Sequence, residues 1–467
     1  MHYYSLGKQS PNVDFKTAAI TGQAPDKGLY FPTTIPQFTK EQIERFKTLD
    51  KASLAFEVMK PYVGDTIDDT SLQQICAETI HFDFPLVPIT DKISALELFH
   101  GPTLAFKDVG ARFMSRCLGY FSKEAKAEKI KLTAQRESEQ QSESEHSIEK
   151  TLTYSKPSTV LVATSGDTGG AVANGFLGVE SVEVIILYPK GKVSPIQELQ
   201  LTTCGQNITA LEVEGSFDDC QAIVKDAFMD AQLNTAYHLT SANSINVARW
   251  LPQQLYYFFA WQQWVASYGD QMPMHIVVPS GNFGNICAGM MAKASGLPLG
   301  HFVAACNANN VVTRYLQTGN YEIHKSVTTV SNAMDVGNPS NFVRIMEIMQ
   351  NNFENLQKGL SSYSYDDAST AATIQRVYKN NNYILDPHGA VTFLAAEQFI
   401  KEQEVTHAII LETAHPVKFP EVVEAAIGQT IDIPASVQFL LDKEKIAIPM
   451  EASFQAFKAW MLCKVSV

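Results

Sequence analysis

Residues 159–170 read TVLVATSGDTGG, a run of strand-forming residues followed by a turn rich in glycine and hydroxyl groups. Residues 275–285, HIVVPSGNFGN, repeat this order, and so do residues 406–416, THAIILETAHP. Each turn leads into a segment of helical character. Continuous apolar strands that alternate with helices are typical of parallel sheets covered on both faces. We therefore predict an α/β fold of doubly wound, mostly parallel sheets.

The same pattern predicts where a ligand would bind. In doubly wound sheets, ligands lie beyond the carboxyl ends of the strands, because the loops that leave those ends converge there. The short apolar runs at 182–188 and 301–306 add further predicted strands. We expect the three turns to follow strands of one sheet and to form one site.

Composition and charge exclude several classes of protein. The chain has 467 residues, 45% of them hydrophobic, and 36 basic against 49 acidic residues give a net charge of −13. This length suits two or three packed domains, and the acidic balance argues against a nucleic-acid partner. Seven scattered cysteines without a CxxC pair predict reduced thiols and a cytoplasmic location. Neither a signal peptide nor a membrane span is expected, since no apolar run approaches about 18 residues.

Two other stretches make local predictions. Residues 40–60 have apolar residues spaced for an amphipathic helix. Residues 123–156 form a charged, low-complexity insertion with seven glutamates and a Gln/Ser-rich middle at 140–145. We expect this insertion to extend the preceding helix and then to become a solvated loop with a disordered middle.

The turn Gly281-Asn282-Phe283-Gly284-Asn285 is a candidate phosphate site. Its glycines let the backbone close around a ligand, and the free N–H groups of a helix start favour an anion. Neither the GxGxxG spacing nor a Lys-Ser/Thr pair is present, so a phosphate-bearing cofactor smaller than a nucleotide suits it better. The alternative is a tight strand-to-helix turn without a ligand.

The turn at 165–169, SGDTG, offers hydroxyl and amide groups together. By itself it fits a helix cap equally well, in which Asp167 or Thr168 satisfies the first turn of the next helix. Lys107 lies among apolar neighbours in LAFKD, residues 104–108. Such surroundings lower the pKa of a lysine and make it a usable nucleophile, although most lysines are solvated surface groups.

Seven segments of the chain resemble, in order, those of the threonine synthase family of tryptophan-synthase-β-like (fold type II) pyridoxal-phosphate enzymes. They are APDKGLYFP (24–32), FHGPTLAFKD (99–108), ATSGDTG (163–169), NSIN with Arg249 (243–249), SGNFGN (280–285), DPHGAV (386–391) and TAHPVKF (413–419). The resemblance extends over nearly the whole chain, and the insertion at 123–156 is longer than expected for the family.

The resemblance implies a division of the chain and a set of site residues. Residues 1–95 would form an N-terminal domain, and 96–467 a catalytic region of two α/β subdomains with the cofactor cleft between them. Lys107 would form a Schiff base with pyridoxal 5'-phosphate, and Thr413 would place its hydroxyl against the ring nitrogen. The remaining cofactor-binding residues would be Phe106, Gly281, Asn282, Phe283, Gly284 and Asn285.

The implied substrate site is less sharply defined. Its candidates are Thr164, Ser165, Asp167, Thr168, Asn246 and Arg249. The role of Asp167 stays open between a cofactor contact and a helix cap, and Arg249 could instead be a surface residue. The histidines lack metal-ligand spacing such as HExxH, so no metal is expected; His100, His388 and His415 are expected to be structural.

The implied activity is that of a lyase in threonine biosynthesis. It converts O-phospho-L-homoserine and water to L-threonine and phosphate, by γ-elimination and β-addition of water. A phospholyase-like enzyme or a serine/threonine dehydratase on the same scaffold is the alternative. A degenerate, non-catalytic binding protein is an alternative of another class, against which the intact Lys107 and glycine turn argue. Both a monomer and a homodimer are plausible.

Overall fold

A computed structural model of the protein describes residues 1–139 and 158–465. The strands are β1 (His2–Ser5), β2 (Val13–Asp14), β3 (Tyr30–Pro32), β4 (Leu86–Pro88), β5 (Ile93–Glu97), β6 (Ser158–Ala163), β7 (Val182–Pro189), β8 (Ile208–Glu214), β9 (His238–Ser241), β10 (His275–Pro279), β11 (Phe302–Cys306), β12 (Leu360–Ser364), β13 (Ala408–Glu412) and β14 (Ile448–Glu451).

The α-helices are α1 (Phe15–Thr21), α2 (Lys40–Phe46), α3 (Lys51–Val63), α4 (Asp69–Thr79), α5 (Lys107–Glu139), α6 (Asp167–Phe176), α7 (Pro195–Thr202), α8 (Phe217–Met229), α9 (Ala231–Ala236), α10 (Val247–Trp250), α11 (Leu255–Tyr268), α12 (Gly284–Ala294), α13 (Val311–Thr318), α14 (Phe342–Ile348), α15 (Phe353–Gly359), α16 (Asp367–Asn381), α17 (Pro387–Gln403), α18 (Pro420–Ile427), α19 (Ala435–Gln438) and α20 (Phe454–Val465). Short 3-10 helices cover Gly64–Thr66, Leu251–Gln254, Asn332–Met334 and Pro416–Lys418.

Two mostly parallel sheets dominate the fold. One has six strands in the order β12-β11-β10-β13-β5-β4, in which only the edge strand β4 is antiparallel. The other has five parallel strands in the order β14-β8-β7-β6-β9. A small antiparallel sheet, β2-β1-β3, lies near the N-terminus. The predicted α/β class with mostly parallel sheets is confirmed.

The expectation that the three turns follow strands of one sheet is wrong. β6 belongs to the five-stranded sheet, whereas β10 and β13 are neighbours in the six-stranded one. Every residue of β6 and β13 is buried, so their sequences are equally apolar and do not distinguish one sheet from the other. Strand partners are chosen by long-range packing, which local pattern does not encode.

The helix predicted at 40–60 is two helices, α2 and α3. Asp50 interrupts it, because its carboxylate accepts hydrogen bonds from the backbone N–H groups of Ala52 and Ser53 at 3.0 Å each and so caps α3. Thr39 closes the start of α2 in a capping box with Gln42. An aspartate ahead of an apolar repeat is a helix-start signal that outweighs uninterrupted periodicity.

Helix α5 runs from Lys107 to Glu139, which confirms that the insertion first extends the preceding helix. The disorder predicted for 140–145 falls outside the described residues. Within the described ranges, we find no helix that is both long and apolar enough to span a bilayer. All seven cysteines have free thiols.

Candidate active site

A cavity of about 470 Å³ lies at the carboxyl ends of β6 in one sheet and of β10 and β13 in the other. The predicted site residues that line it are Phe106, Lys107, Thr164, Ser165, Thr168, Arg249, Gly281, Asn282, Phe283, Gly284, Asn285 and Thr413. The three turns therefore meet at one site, although their strands come from two sheets. Asp167 and Asn246 are not among the described residues that line this cavity.

Lys107 is fixed in the cavity wall beside Thr413. The backbone N–H of Phe106 donates to the carbonyl of Thr413 at 2.9 Å, and the N–H of His415 donates to the carbonyl of Leu104 at 3.0 Å. These two bonds join the loop before α5 to the turn after β13. The guanidinium of Arg249 donates from Nη1 to the Lys107 carbonyl at 2.9 Å. The amine and the threonine hydroxyl therefore belong to one rigid wall.

The surroundings of Lys107 favour a free amine. Its side chain is 17% exposed, and burial lowers the pKa of its amine. The carboxylate of Asp167, whose Oδ2 is 3.8 Å from Nζ, raises that pKa, while the positive charges of Lys418 and Arg249 lower it again. The net direction is downward, which suits a nucleophile or a base.

The Gly281–Asn285 turn packs closely on the segment 331–340. A Cβ added at Gly281 would lie 2.5 Å from Cα of Met334, so only glycine fits there. Asn282 holds the same segment, since its Oδ1 accepts from the backbone N–H of Ser340 at 2.6 Å. The turn is thereby shaped by neighbours far away in sequence.

This turn is suited to an anion. Phe283 adopts φ 59° ahead of α12, and no described side chain caps the start of that helix. The Oδ1 of Asn285 accepts from the Tyr257 hydroxyl at 2.7 Å, but its buried Nδ2 has no hydrogen-bond partner among the described residues. A buried donor without a partner costs free energy unless a ligand satisfies it. Uncapped N–H groups and this amide together fit a phosphate.

The turn after β6 is capped by Thr164. Its Oγ1 accepts from the N–H groups of Gly166 at 3.0 Å and Gly169 at 2.9 Å, so neither Asp167 nor Thr168 makes the cap. The Asp167 carboxylate instead pairs with Lys418 at 2.7 Å. Burial would raise the pKa of this carboxyl, but the charges of Lys418 and Lys107 hold it well below its usual range.

Asn246 lies outside the cavity lining, and its side chain is hydrogen-bonded within the fold. Its Oδ1 accepts from the N–H of Ala248 at 2.9 Å and caps α10, and its Nδ2 donates to the carbonyl of Ala19 at 2.8 Å. The side chain is fully buried. Asparagine is among the preferred capping residues, so the sequence held this signal beside the motif match.

The three histidines of the matched segments are hydrogen-bonded, as predicted. His100 Nε2 lies 2.7 Å from Glu97, and His415 Nδ1 accepts from the N–H of Val417 at 3.1 Å. His388 lines the cavity, with Nδ1 2.6 Å from the Asp386 carboxylate and Nε2 accepting from Ala333 N–H. No group of three or more His, Cys, Asp or Glu in the described ranges could hold a metal ion.

Sequence reasoning missed two supports of the site. The segment 331–340, SNAMDVGNPS, supplies much of one wall; its polar composition indicates a loop but not its place. Arg344, completely buried, donates to the carbonyls of Ser244 at 2.9 Å and Ile245 at 2.6 Å, both of which line the cavity. No sequence signal distinguishes this arginine from a surface one.

The cavity fits the cofactor that the resemblance implies. It contains a lysine amine with a lowered pKa, an anion-suited turn with an unpartnered amide donor, and a neutral hydroxyl on the wall that holds the lysine. These are the groups that an aldehyde, a phosphate and a pyridine nitrogen require. The donor set therefore matches pyridoxal phosphate.

Comparisons with known proteins agree with this reading. The chain matches a family model described as "Pyridoxal-phosphate dependent enzyme" over residues 92–411, one described as "Threonine synthase N terminus" over 2–80, and one described as "Threonine synthase, C-terminal" over 389–461. It is 37% identical to a threonine synthase of Serratia marcescens over 462 residues, which cover 99% of each chain.

Solved structures of threonine synthases are also similar to this chain. The crystal structure of threonine synthase from Escherichia coli matches with a TM-score of 0.85 and 36% identity, over 99% of this chain and 100% of that one. The threonine synthase of Brucella melitensis with bound pyridoxal phosphate also matches with a TM-score of 0.85, at 32% identity over 100% of both chains. Because these likenesses span 99% or more of the chain at 32% to 37% identity, the chain belongs to the threonine synthase family of pyridoxal-phosphate-dependent lyases.

Proposed function

We propose that this protein converts O-phospho-L-homoserine and water to L-threonine and phosphate, with Lys107 as the catalytic amine. The observation that supports this most directly is that Lys107 shares one cavity with two separate sets of anion donors. The Gly281–Asn285 turn suits the phosphate of the cofactor, and the hydroxyls of Ser165 and Thr168 with the guanidinium of Arg249 suit the phosphate of the substrate. A phosphorylated amino acid on a phosphorylated cofactor needs two such places.

Lys107 has two tasks in the proposed reaction. Pyridoxal phosphate, when bound, supplies an aldehyde that takes up an amine and a conjugated ring that stores an electron pair. Lys107 would hold the cofactor through its aldehyde, and its free amine would take the proton from the substrate α-carbon and move protons at the β- and γ-carbons. Burial lowers the pKa of its amine, which favours the deprotonated form that this work requires.

Thr413 sets the electronic character of the site. A neutral hydroxyl at the ring nitrogen, unlike a carboxylate, does not hold that nitrogen protonated. The electron sink is moderated, which suits elimination and replacement better than transamination. Glu412, the preceding residue, is completely buried, and burial together with Asp386 raises the pKa of its carboxyl well above the usual range.

The leaving phosphate would be bound by Ser165, Thr168 and Arg249. All three line the cavity, and Arg249 is buried with one N–H on the Lys107 carbonyl. A guanidinium has five N–H donors in a planar fork, and this fork matches two phosphate oxygens at once. Arg249 would therefore bind the substrate phosphate and also steady the backbone of the catalytic lysine.

The proposal also covers the domain division, the location and the oligomeric state of the protein. Residues 1–95 would form an N-terminal domain, and 96–467 a catalytic region of two α/β subdomains with the cleft between them. A cytoplasmic protein, acting as a monomer or homodimer without nucleic acid, agrees with the net charge of −13 and with the free thiols.

The test uses the purified protein with pyridoxal phosphate. We expect a visible absorption band of bound cofactor, and release of phosphate and threonine in equal amounts from O-phospho-L-homoserine. Faster formation of an oxoacid from threonine or serine would identify a dehydratase instead. Absence of the band after cofactor is added would point to the non-catalytic binding protein.

A conservative change at Arg249 tests the substrate phosphate site. Lysine keeps the positive charge but loses the fork, so Arg249→Lys is expected to raise KM for O-phospho-L-homoserine about 10- to 100-fold, more than it lowers kcat. Arg376→Lys, at an exposed pair with Glu397 2.6 Å apart, is the matched control and should change neither constant. An unchanged KM in Arg249→Lys would remove Arg249 from the substrate site.

A further inference from the structure

Lys418 is a second lysine beside the site, and it is completely buried. It ends the 3-10 helix Pro416–Lys418, and its Nζ donates to the carbonyl of Thr103 at 2.8 Å. The same Nζ lies 2.7 Å from Oδ1 of Asp167. The other oxygen of Asp167, Oδ2, is 3.8 Å from Nζ of Lys107. One carboxylate therefore lies between two lysines, closer to the one that does not line the cavity.

The charges of Asp167 and Lys418 act together on the ionisation of Lys107, in addition to its burial. Lys418 and Asp167 together are neutral, and Gln197 donates a further hydrogen bond to Asp167 at 3.0 Å. When Lys107 is protonated, the three residues carry one positive charge; when it is a free amine, they carry none. A buried net charge is costly, so the neutral arrangement is favoured.

Other charged groups also face Lys107. Arg249 of α10, whose guanidinium bonds to the Lys107 carbonyl, disfavours the ammonium form. Asp386, which caps α17 and pairs with His388 of the cavity wall, favours it. These two act in opposite directions. Asp167 contacts Lys107 directly, through its Oδ2. Its Oδ1 pairs with Lys418.

We propose that Lys418 is a positioning residue for Lys107: by pairing with Asp167, it prevents that carboxylate from holding the catalytic lysine as an ammonium ion. Without Lys418, Asp167 and Lys107 would form a neutral ion pair, and the amine would be held protonated. The importance of a free Lys107 amine rests on the proposed function. The effect of Asp167 and Lys418 on the ionisation of Lys107 can be measured without turnover.

The experiment measures the ionisation of Lys107 in the full chain freed of cofactor. The protein is acylated with trace acetic anhydride across a pH series, and modification of the Lys107 peptide is quantified by mass spectrometry. We expect Lys418→Met to raise the pKa of Lys107 by about one unit or more, and Asp167→Asn to lower it, since a nearby opposite charge shifts a pKa by about 1–3 units. Lys418→Arg, which keeps the charge, should restore the value.

The double variant separates a charge effect from damage to the fold. Asp167→Asn with Lys418→Met removes both charges, so its Lys107 pKa should lie above that of Asp167→Asn alone. This comparison measures the effect of the Lys418 charge on the Lys107 pKa even if Lys418→Met by itself does not fold. Lys458→Met is the control: Lys458 lies on α20 and pairs with Asp230, and its loss should leave the Lys107 pKa unchanged.

Two results would overturn the inference: an unchanged or lowered Lys107 pKa in Lys418→Met, or no rise between the single and double variants. With cofactor added, the acid limb of the pH profile of kcat should move to higher pH in Lys418→Met, by the same number of pH units as the Lys107 pKa. If the pKa values move as expected but no threonine forms, the proposed function fails and the charge relation stands. If threonine forms and the values do not move, the inference alone fails.

Discussion

Replacement of Lys107 by alanine is expected to abolish threonine formation, with a loss in kcat of at least about 1,000-fold. In the proposed reaction, this residue is both the amine that would hold the cofactor and the base that would move protons at the substrate carbons. No other lysine of the described residues lines the cavity, so no neighbouring amine can take over. The visible band of bound cofactor should disappear in the same variant.

Two further measurements make this result specific. A small primary amine added to Lys107→Ala should restore part of the turnover, because it replaces the missing group without a covalent link to the chain. Lys190→Ala, at an exposed pair with Glu214 3.0 Å apart, should behave like the unchanged protein. Threonine formation by Lys107→Ala within tenfold of the unchanged rate would show that another group is the catalytic amine.

Replacement of Gly281 by alanine is expected to weaken cofactor binding by at least about tenfold, or about 1.4 kcal/mol. The added Cβ would lie 2.5 Å from Cα of Met334 and 3.1 Å from the carbonyl oxygen of Ala333. Both contacts are with backbone, which cannot rotate away as a side chain could. The turn must therefore move, and the N–H groups that we propose for phosphate binding move with it. Titration of the full chain with pyridoxal phosphate, followed by absorbance, measures the effect.

Gly428→Ala is the matched control for this substitution. Gly428 has φ 76°, so alanine is strained there, but an added Cβ meets no described atom within 4 Å and the residue does not line the cavity. We expect it to lower the free energy of unfolding by about 1 kcal/mol and to leave cofactor affinity unchanged. Equal cofactor affinity in both glycine variants would contradict the assignment of the Gly281 turn to the phosphate.

Two turns that line the cavity could be located from the sequence because each combines two local signals. A buried strand and a glycine-rich start of a helix are both encoded by neighbouring residues, so the Gly281–Asn285 turn and the turn after β6 could be recognised without a structure. Lys107 was different: its apolar neighbours gave a weak signal, and the resemblance to a known family selected it.

The sequence is least informative where a side chain has several possible partners. Asn246 belongs to a matched motif, yet its amide is used by α10 and by Ala19. Asp167 was left between a cofactor contact and a helix cap, but it pairs with Lys418, 251 positions further along the chain. Both outcomes depend on contacts between segments that are remote in sequence.

By itself, the sequence determined the α/β class, the strand ends at which the cavity lies, and the residue types offered there, because hydrophobic periodicity and turn chemistry are local properties. Only the tertiary structure decided that these strands belong to two sheets, which polar side chains face the cavity, and how Asp167 is shared between Lys107 and Lys418. The ionisation of a lysine depends on the charges and solvent around it within a few ångströms. Those neighbours are brought together by long-range packing, so a local sequence pattern does not predict them.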